Sequence, residues 1–416
     1  MQIAEIFFLA FNVVAIYLSM IWLVVYLANR KTLFKVPIAK KTPTLTFLVP
    51  AFNEEKHIEK CLKHILNLDY PKDKIKIIVI NDGSTDRTVE IVKKFKKIKL
   101  INKETRGGKA AALNYAIPFI DTDLTVCMDA DSFATENYLK KIVGYFNDPN
   151  VSAVTTAIKI KDLSTIYGKI QWVEYLVSIV FRKLFAILDC QFVVPGAGGI
   201  YRSSVIKELG GFDTKSLTED MEIALRMQSK GYKIESSLDS YVYTECPKNF
   251  KSLFKQRMRW YRGYLENFKK YFYLFLNPKY GNLGMFFMPM TVIWIGGITI
   301  MLLMQIWNLI YQTANGLVMW NLINNAFTWP KLSFDIFIFN IDSLIMSVTT
   351  TTLVVGIISL ATGLIISWVG IRSSGVERIK RRKVFYAFYF LIYPILFSFF
   401  WLCAIIMNIF RVRKRW

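Results

Sequence analysis

Four stretches of the chain contain no Asp, Glu, Lys or Arg: 6–28, 280–330, 343–371 and 384–410. Each holds enough apolar length to cross a bilayer, which takes roughly 20 residues. Buried helices of a soluble core rarely stay free of charge for so long. The segment between the first two stretches is mixed in character and has the length of one soluble domain. The sequence therefore divides into a transmembrane anchor with a basic linker (1–41), a soluble domain (42–247), an amphipathic segment (248–279) and a C-terminal membrane region of about three spans (280–416).

Lys and Arg number 53 against 31 Asp and Glu. Much of this excess flanks the apolar stretches. Arg30, Lys31 and Lys35 follow the first, and Arg378, Lys380, Arg381, Arg382 and Lys383 lie between the last two. The positive-inside rule places both groups in the cytoplasm. The expectation is a multi-pass plasma-membrane protein with a cytoplasmic soluble domain and Met1 outside. The first stretch lacks a basic leader and carries its charge afterwards, as an uncleaved anchor does. Because the charge tracks the membrane edges, the lipid bilayer is the expected partner and nucleic acid is not. One conflict stands: four spans put the basic tail, Arg411 to Arg415, outside as well. Five cysteines without a CxxC pair, and only two histidines, argue against zinc and for a reduced compartment.

Within the soluble domain, short apolar runs at 45–50 (LTFLVP), 74–80, 99–101, 124–128 and 151–157 read as strands. Between them lie an amphipathic helix carrying Ile58, Cys61, Leu62, Ile65 and Leu66 on one face, a helix through Val89, Val92 and Phe95 capped by Ser84 or Asp86, and a helix at 110–117. This alternation predicts a doubly wound, mostly parallel α/β sheet. Further on, 166–188 reads as a long helix, 195–199 (PGAGG) as a flexible loop and 221–230 as a helix. The aromatic stripe of Phe250, Phe254, Tyr261, Tyr264, Phe268 and Phe272 reads as helix at the membrane surface.

Acidic residues gather where these elements meet. In open α/β sheets, ligands bind beyond the carboxyl ends of the strands. Asp129 and Asp131, in TVCMDADS, stand at such an end, and two carboxylates there suit a hard divalent cation bridging diphosphate oxygens. A lone DxD is common and, taken alone, is more often a solvated turn. Glu54 and Asp82 leave other strands, while Glu219 and Asp220 open a helix, and each alone is a plausible cap or turn residue.

Taken in order, PAFNEE (50–55), NDGS (81–84), RGGKA (106–110), DAD (129–131), TED (218–220) and QRMRW (256–260) resemble the membrane-embedded family 2 glycosyltransferases. These include the cellulose, chitin, hyaluronan and poly-N-acetylglucosamine synthases. The resemblance implies a GT-A-type nucleotide-sugar domain between transmembrane helices, with amphipathic interface helices. It implies that Phe52, Glu54 and Asp82 hold the uridine and that Lys109 approaches the donor diphosphate. Asp129 and Asp131 serve the nucleotide and Mg²⁺ or Mn²⁺, and Asp220, beside Glu219, is the general base. Gln256 and Arg259 hold the diphosphate, Arg257 between them counts among the substrate-binding residues, and Trp260 floors the acceptor sugar site. Phe52 replaces a frequent tyrosine, and the FxVTxK gating sequence of cellulose synthase is absent. The implied activity is processive, inverting polymerisation of a UDP-sugar, best read as UDP-N-acetylglucosamine, with export of the growing polysaccharide acceptor. An accessory membrane subunit is compatible with this. The rivals are transfer of a single sugar to a lipid and a non-enzymatic membrane transporter or scaffold.

Overall fold

The computed structural model describes residues 3–324 and 382–412, with isolated positions between 354 and 368. An apolar helix α1 (Ile3–Asn29) leads into the soluble domain. There follow β1 (Leu45–Ala51), α2 (Ile58–Leu66), β2 (Ile75–Asn81), α3 (Thr88–Lys93), β3 (Lys99–Asn102), α4 (Lys109–Ala116), β4 (Leu124–Met128), β5 (Ser132–Ala134) and β6 (Val151–Ile160). Next come α5 (Ile166–Ile187), β7 (Ala197–Arg202), α6 (Ser203–Glu208), α7 (Glu219–Ser229), β8 (Lys233–Thr244) and α8 (Phe250–Lys270).

The strands form one eight-stranded sheet in the order β3-β2-β1-β4-β7-β6-β8-β5. Its first four strands are parallel, as the apolar runs predict, with Leu45 opposite both Ile75 and Leu124. Beyond β4 the sheet is mixed. β7 runs antiparallel to β4 and β6, β8 is parallel to β6, and β5 is antiparallel to β8. Side chains of β1 and β4 alternate between two cores. Phe47, Val49, Val126 and Met128 meet Ile58, Leu62 and Ile65 of α2 on one face. Leu48 and Cys127 meet Ala112 and Leu113 of α4 and Ile223 and Ala224 of α7 on the other. The parallel strands therefore end side by side, and the loops leaving β1, β2 and β4 crowd one edge.

Residues 195–199 differ from the flexible loop the sequence suggests, because Ala197–Arg202 is the central strand β7. Tyr138 donates to Gly198 O at 2.5 Å, and a Cβ at Gly198 would lie 2.9 Å from Val242 Cγ2. Gly198 also has φ of +86°, which glycine adopts at no steric cost. These glycines mark close packing.

Outside the sheet domain, α1 and the helical stretch Leu283–Met304, which enters α9 (Met288–Asn324), are long and apolar enough to span a bilayer. The third apolar stretch, 343–371, lies essentially outside the described residues. The fourth is broken: α10 (Arg382–Leu391) and α11 (Tyr393–Ile409) meet at a bend of 41° for Val384–Leu391 against Tyr393–Ile409. Pro394 stands in the first turn of α11, where its missing N–H costs nothing and where it cannot continue the preceding helix. α10 packs on α5 through Tyr386 and Trp172, with ring centroids 6.0 Å apart. The aromatic stripe of α8 is applied to α11: Tyr261 stacks on Trp401 at 4.5 Å and 9°, and Phe254 meets Phe400 at 5.9 Å. Phe250 and Phe272 stay exposed.

Candidate active site

The loops after β1 and β2 are zipped together by polar contacts. Asn53 N–H donates to Ser84 Oγ at 3.0 Å, Glu54 N–H to Thr88 Oγ1 at 2.8 Å and Glu55 N–H to Asp86 Oδ2 at 3.0 Å. Asn53 holds φ of +55°, a conformation asparagine tolerates. Asp86 also accepts from Thr88 N–H at 3.0 Å; it stands one residue ahead of Arg87, the N-cap residue of α3, which has no side-chain cap of its own. Glu54 is half-buried against His57 Nδ1 at 3.2 Å. Burial raises its carboxyl above the ordinary range despite that histidine. Phe52 lies under the guanidinium of Arg106, 3.9 Å from the ring centroid.

Asp82 is buried and fully engaged. It accepts from Gly107 N–H at 2.9 Å and Gly108 N–H at 2.6 Å, and pairs with Lys103. Three donors on one buried carboxylate fix the RGG loop in front of α4. Lys103 escaped the sequence reading; it follows a strand with no motif around it.

Lys109, the first residue of α4, pairs with Asp129 and approaches Glu219 Oε1 at 3.5 Å. Burial works against its charge, but Asp129, Glu219 and Asp220 together outweigh burial and raise its pKa. This ammonium joins the end of β4 to the start of α7. Gly196 makes room for the join, since a Cβ there would overlap Lys109 Nζ and come within 3.1 Å of Asp129 Oδ1. Gly196 was legible only as a loop glycine. Asp220, half-buried one residue further on, accepts from Met221 N–H at 2.9 Å. A helix start by itself favours the ionised form. Here burial and then the charge of Glu219 prevail over Lys109 and Arg259, and the carboxyl is pushed up to about 6. That reverses the direction expected from the helix dipole alone.

Asp131 sits beside Asp129 and Glu54. Burial, then these two negative neighbours, push its carboxyl up to about 7. The described residues give it one side-chain hydrogen bond, from Ser132 Oγ at 3.2 Å. An excess of buried negative charge fits a divalent cation with oxygen ligands. Among the described residues no three His, Cys, Asp or Glu side chains form a metal site alone. Substrate and water oxygens would have to complete the shell.

QRMRW lies on the N-terminal half of α8. Arg259 is close enough to Asp220 for its charge to lower that carboxyl's pKa. Gln256 Oε1 is buried with no hydrogen-bond partner among the described residues. Arg257, 1% exposed, turns the other way, to Glu174 Oε2 of α5 at 2.6 Å. Its guanidinium stands 4.3 Å from the ring centroid of Trp260. The C-terminal half of α8 grips α7: Asn267 Nδ2 donates to Thr218 Oγ1 at 2.9 Å, and Tyr271 and Lys270 donate to the buried Glu222 at 2.8 and 2.7 Å.

A mixed sheet with acidic residues at its strand ends, a lysine opening the helix beside them, and long apolar helices elsewhere in the chain is the arrangement of a GT-A-like glycosyltransferase. Residues 43–263 match the model of the glycosyltransferase-like family 2, and the chain belongs to that family. It is similar to the poly-beta-1,6-N-acetyl-D-glucosamine synthase of Staphylococcus epidermidis, 30% identical over 304 residues, covering 71% of this chain and 70% of that one. It is also 30% identical over 258 residues to the synthase of the same name from Staphylococcus aureus (strain COL), covering 60% of this chain and 62%, under two thirds, of that protein. Among solved structures, the mannosyltransferase PcManGT from Pyrobaculum calidifontis, in complex with GDP-Man and Mn²⁺, shares the fold. Its TM-score is 0.56 at 17% identity, over 98% of this chain and 100% of that one.

Proposed function

We propose that this enzyme is a processive, inverting β-glycosyltransferase that polymerises UDP-N-acetylglucosamine on the cytoplasmic face and passes the polymer out between its membrane helices. The observation that carries the reading is the Asp129–Lys109–Glu219 chain of charge, which brings donor-side carboxylates and Asp220 to one edge of the sheet. The names of the relatives support the sugar and a β-1,6 linkage.

Asp220 is the general base in this scheme. An acceptor hydroxyl is a poor nucleophile at neutral pH, and a positioned carboxylate taking its proton contributes about 10²–10⁴-fold. A carboxyl pushed up to about 6 is a stronger base than an ordinary aspartate and is still ionised at pH 7. With no second carboxylate acting as nucleophile, displacement inverts the anomeric carbon, so an α-linked donor gives a β-linked product. Asp129 and Asp131 would hold Mg²⁺ or Mn²⁺, which supplies charge compensation for the departing UDP. Arg259 adds a fixed positive charge on the same side. Phe52 offers a stacking face for the uracil, in exchange for Arg106. Glu54 stands beside that face, Asp82 secures the RGG loop next to it, and the Gln256 amide N–H groups would donate to the diphosphate. Trp260 supplies the platform for the acceptor sugar.

The test is a sugar-nucleotide screen on the purified full-length protein, measuring UDP release and product size together. UDP release with a long β-linked N-acetylglucosamine polymer is expected. A lipid-linked monosaccharide, or no release with any sugar nucleotide, overturns the reading.

A further inference from the structure

Arg257 and Trp260 sit one turn apart on α8, and their relation depends on residues from two other parts of the chain. Glu174 Oε2 takes the Arg257 guanidinium at 2.6 Å and also accepts the Tyr393 hydroxyl at 2.9 Å. Glu174 belongs to α5, against the sheet, and Tyr393 is the first residue of α11. A guanidinium this buried is tolerated only when paired. Its Nε has no hydrogen-bond partner among the described residues, so Glu174 is its main anchor. The planar fork, held by Glu174, is thereby set at a fixed height against the Trp260 ring, 4.3 Å from its centroid.

We infer that Glu174 and Tyr393 are positioning residues for acceptor binding, acting through Arg257 on the Trp260 platform. The inference rests on Trp260 being that platform, as proposed above. The ligand is a β-linked amino-sugar chain, whose apolar ring face stacks on an indole held still before it arrives. An indole that must be ordered on binding loses about 3- to 10-fold in affinity, the cost of immobilising one side chain. Tyr393 adds a role for α11: through Glu174 this helix helps to fix the ring that grips the sugar.

The experiment uses the full-length protein in detergent. Affinities are measured for UDP and for a β-1,6-linked N-acetylglucosamine tetrasaccharide in wild type, Glu174→Gln, Tyr393→Phe and the apolar pair Glu174→Leu/Arg257→Met. The pair removes both buried charges together, which preserves folding where breaking one partner does not. Tetrasaccharide affinity is expected to fall about 3- to 10-fold in all three, with UDP affinity within twofold of wild type in Glu174→Gln and Tyr393→Phe. The pair is expected to fold, with its thermal midpoint lowered by no more than adding Tyr393→Phe to it restores, since only the Tyr393 hydroxyl loses its acceptor, and still to bind the tetrasaccharide weakly. Unchanged tetrasaccharide affinity in Tyr393→Phe and in the pair overturns the inference. So does a parallel loss of UDP affinity and thermal stability that the pair restores together with tetrasaccharide binding, because that is the signature of a purely structural contact. A wild type that binds the tetrasaccharide but makes no polymer removes the polymerase reading and leaves the inference standing.

Discussion

Lys109 reaches Glu219 Oε1 at 3.5 Å while it pairs with Asp129, so the first residue of one helix holds the strand-end acid and the start of another helix together. Replacing it with methionine keeps the stem and removes the charge. Lys109→Met should then leave Asp129, Glu219 and Asp220 repelling one another and raise the pKa of Asp220 further. UDP-sugar affinity should fall, and the acid limb of the rate profile should move to higher pH, as measured by UDP release across pH 5–9.

Asp220→Asn should lose about 10²-fold or more in transfer while keeping UDP affinity, since a general base acts on the acceptor's proton. In the wild type only the ionised carboxylate accepts that proton. With the carboxyl at about 6, the rate should be flat near neutral pH and fall about tenfold per unit below pH 6. A rate independent of pH down to 5 would remove Asp220 from the role and leave Glu219 as the next candidate.

EDTA should stop UDP release, and Mg²⁺ or Mn²⁺ should restore it. Asp131→Asn should be inactive under all these conditions, yet its thermal midpoint in EDTA should equal or exceed that of wild type. The sign follows from burial: a carboxyl whose pKa folding raises to about 7 favours the unfolded chain at any pH above its unfolded value. A neutral amide removes that penalty. Full turnover in EDTA would rule out the metal.

The fit between α7 and α8 leaves no space at Gly263, where a Cβ would stand 2.5 Å from Thr218 Oγ1 and 2.6 Å from its Cγ2. Gly263→Ala should cost about 1–3 kcal/mol by overpacking and lower transfer by displacing Asp220. Asn267→Ala should cost a similar amount for a different reason, because the buried Thr218 groups lose their donor. Thermal unfolding with single-turnover transfer assays checks both.

For topology, a cysteine at the exposed Lys96, in a Cys403→Ser background, should resist an impermeant thiol reagent in intact cells and label after permeabilisation. Labelling without permeabilisation would place the catalytic domain outside.

Residues whose side chains follow a simple period were legible from sequence. The parallel strands β1, β2 and β4 are short apolar runs, and α2 shows one apolar face, because each buries its side chains in the usual way. β8 was not legible. Its buried Ser237 and Ser240 donate to Lys141 O and Tyr138 O and its buried Ser236 accepts from Thr155 Oγ1, so a polar sequence sits inside the sheet without an apolar signal. β7 was hidden by glycines that read as slack. At the site, the motifs named Asp82, Lys109, Asp129, Asp131, Asp220, Arg257 and Arg259, but not Lys103 paired with Asp82, Glu174 paired with Arg257, or Gly196 making room for Lys109. These three lie far along the chain from those groups, and only the folded backbone brings them near. The direction of the Asp220 pKa likewise needed the burial that a sequence does not display.

Helix α8 belongs to two cores at once. Tyr264 and Phe268 pack beside Met221 and Leu225 of α7, while Leu253, Met258 and Tyr261 pack beside Phe400, Trp401 and Ala404 of α11. A genetic screen for lost polymer should therefore return hits scattered through the C-terminal apolar helix, at positions with no polar atom to offer a sugar. Such alleles would be mistaken for export defects. They should be separable from true export mutants because the isolated protein would already be slow at releasing UDP.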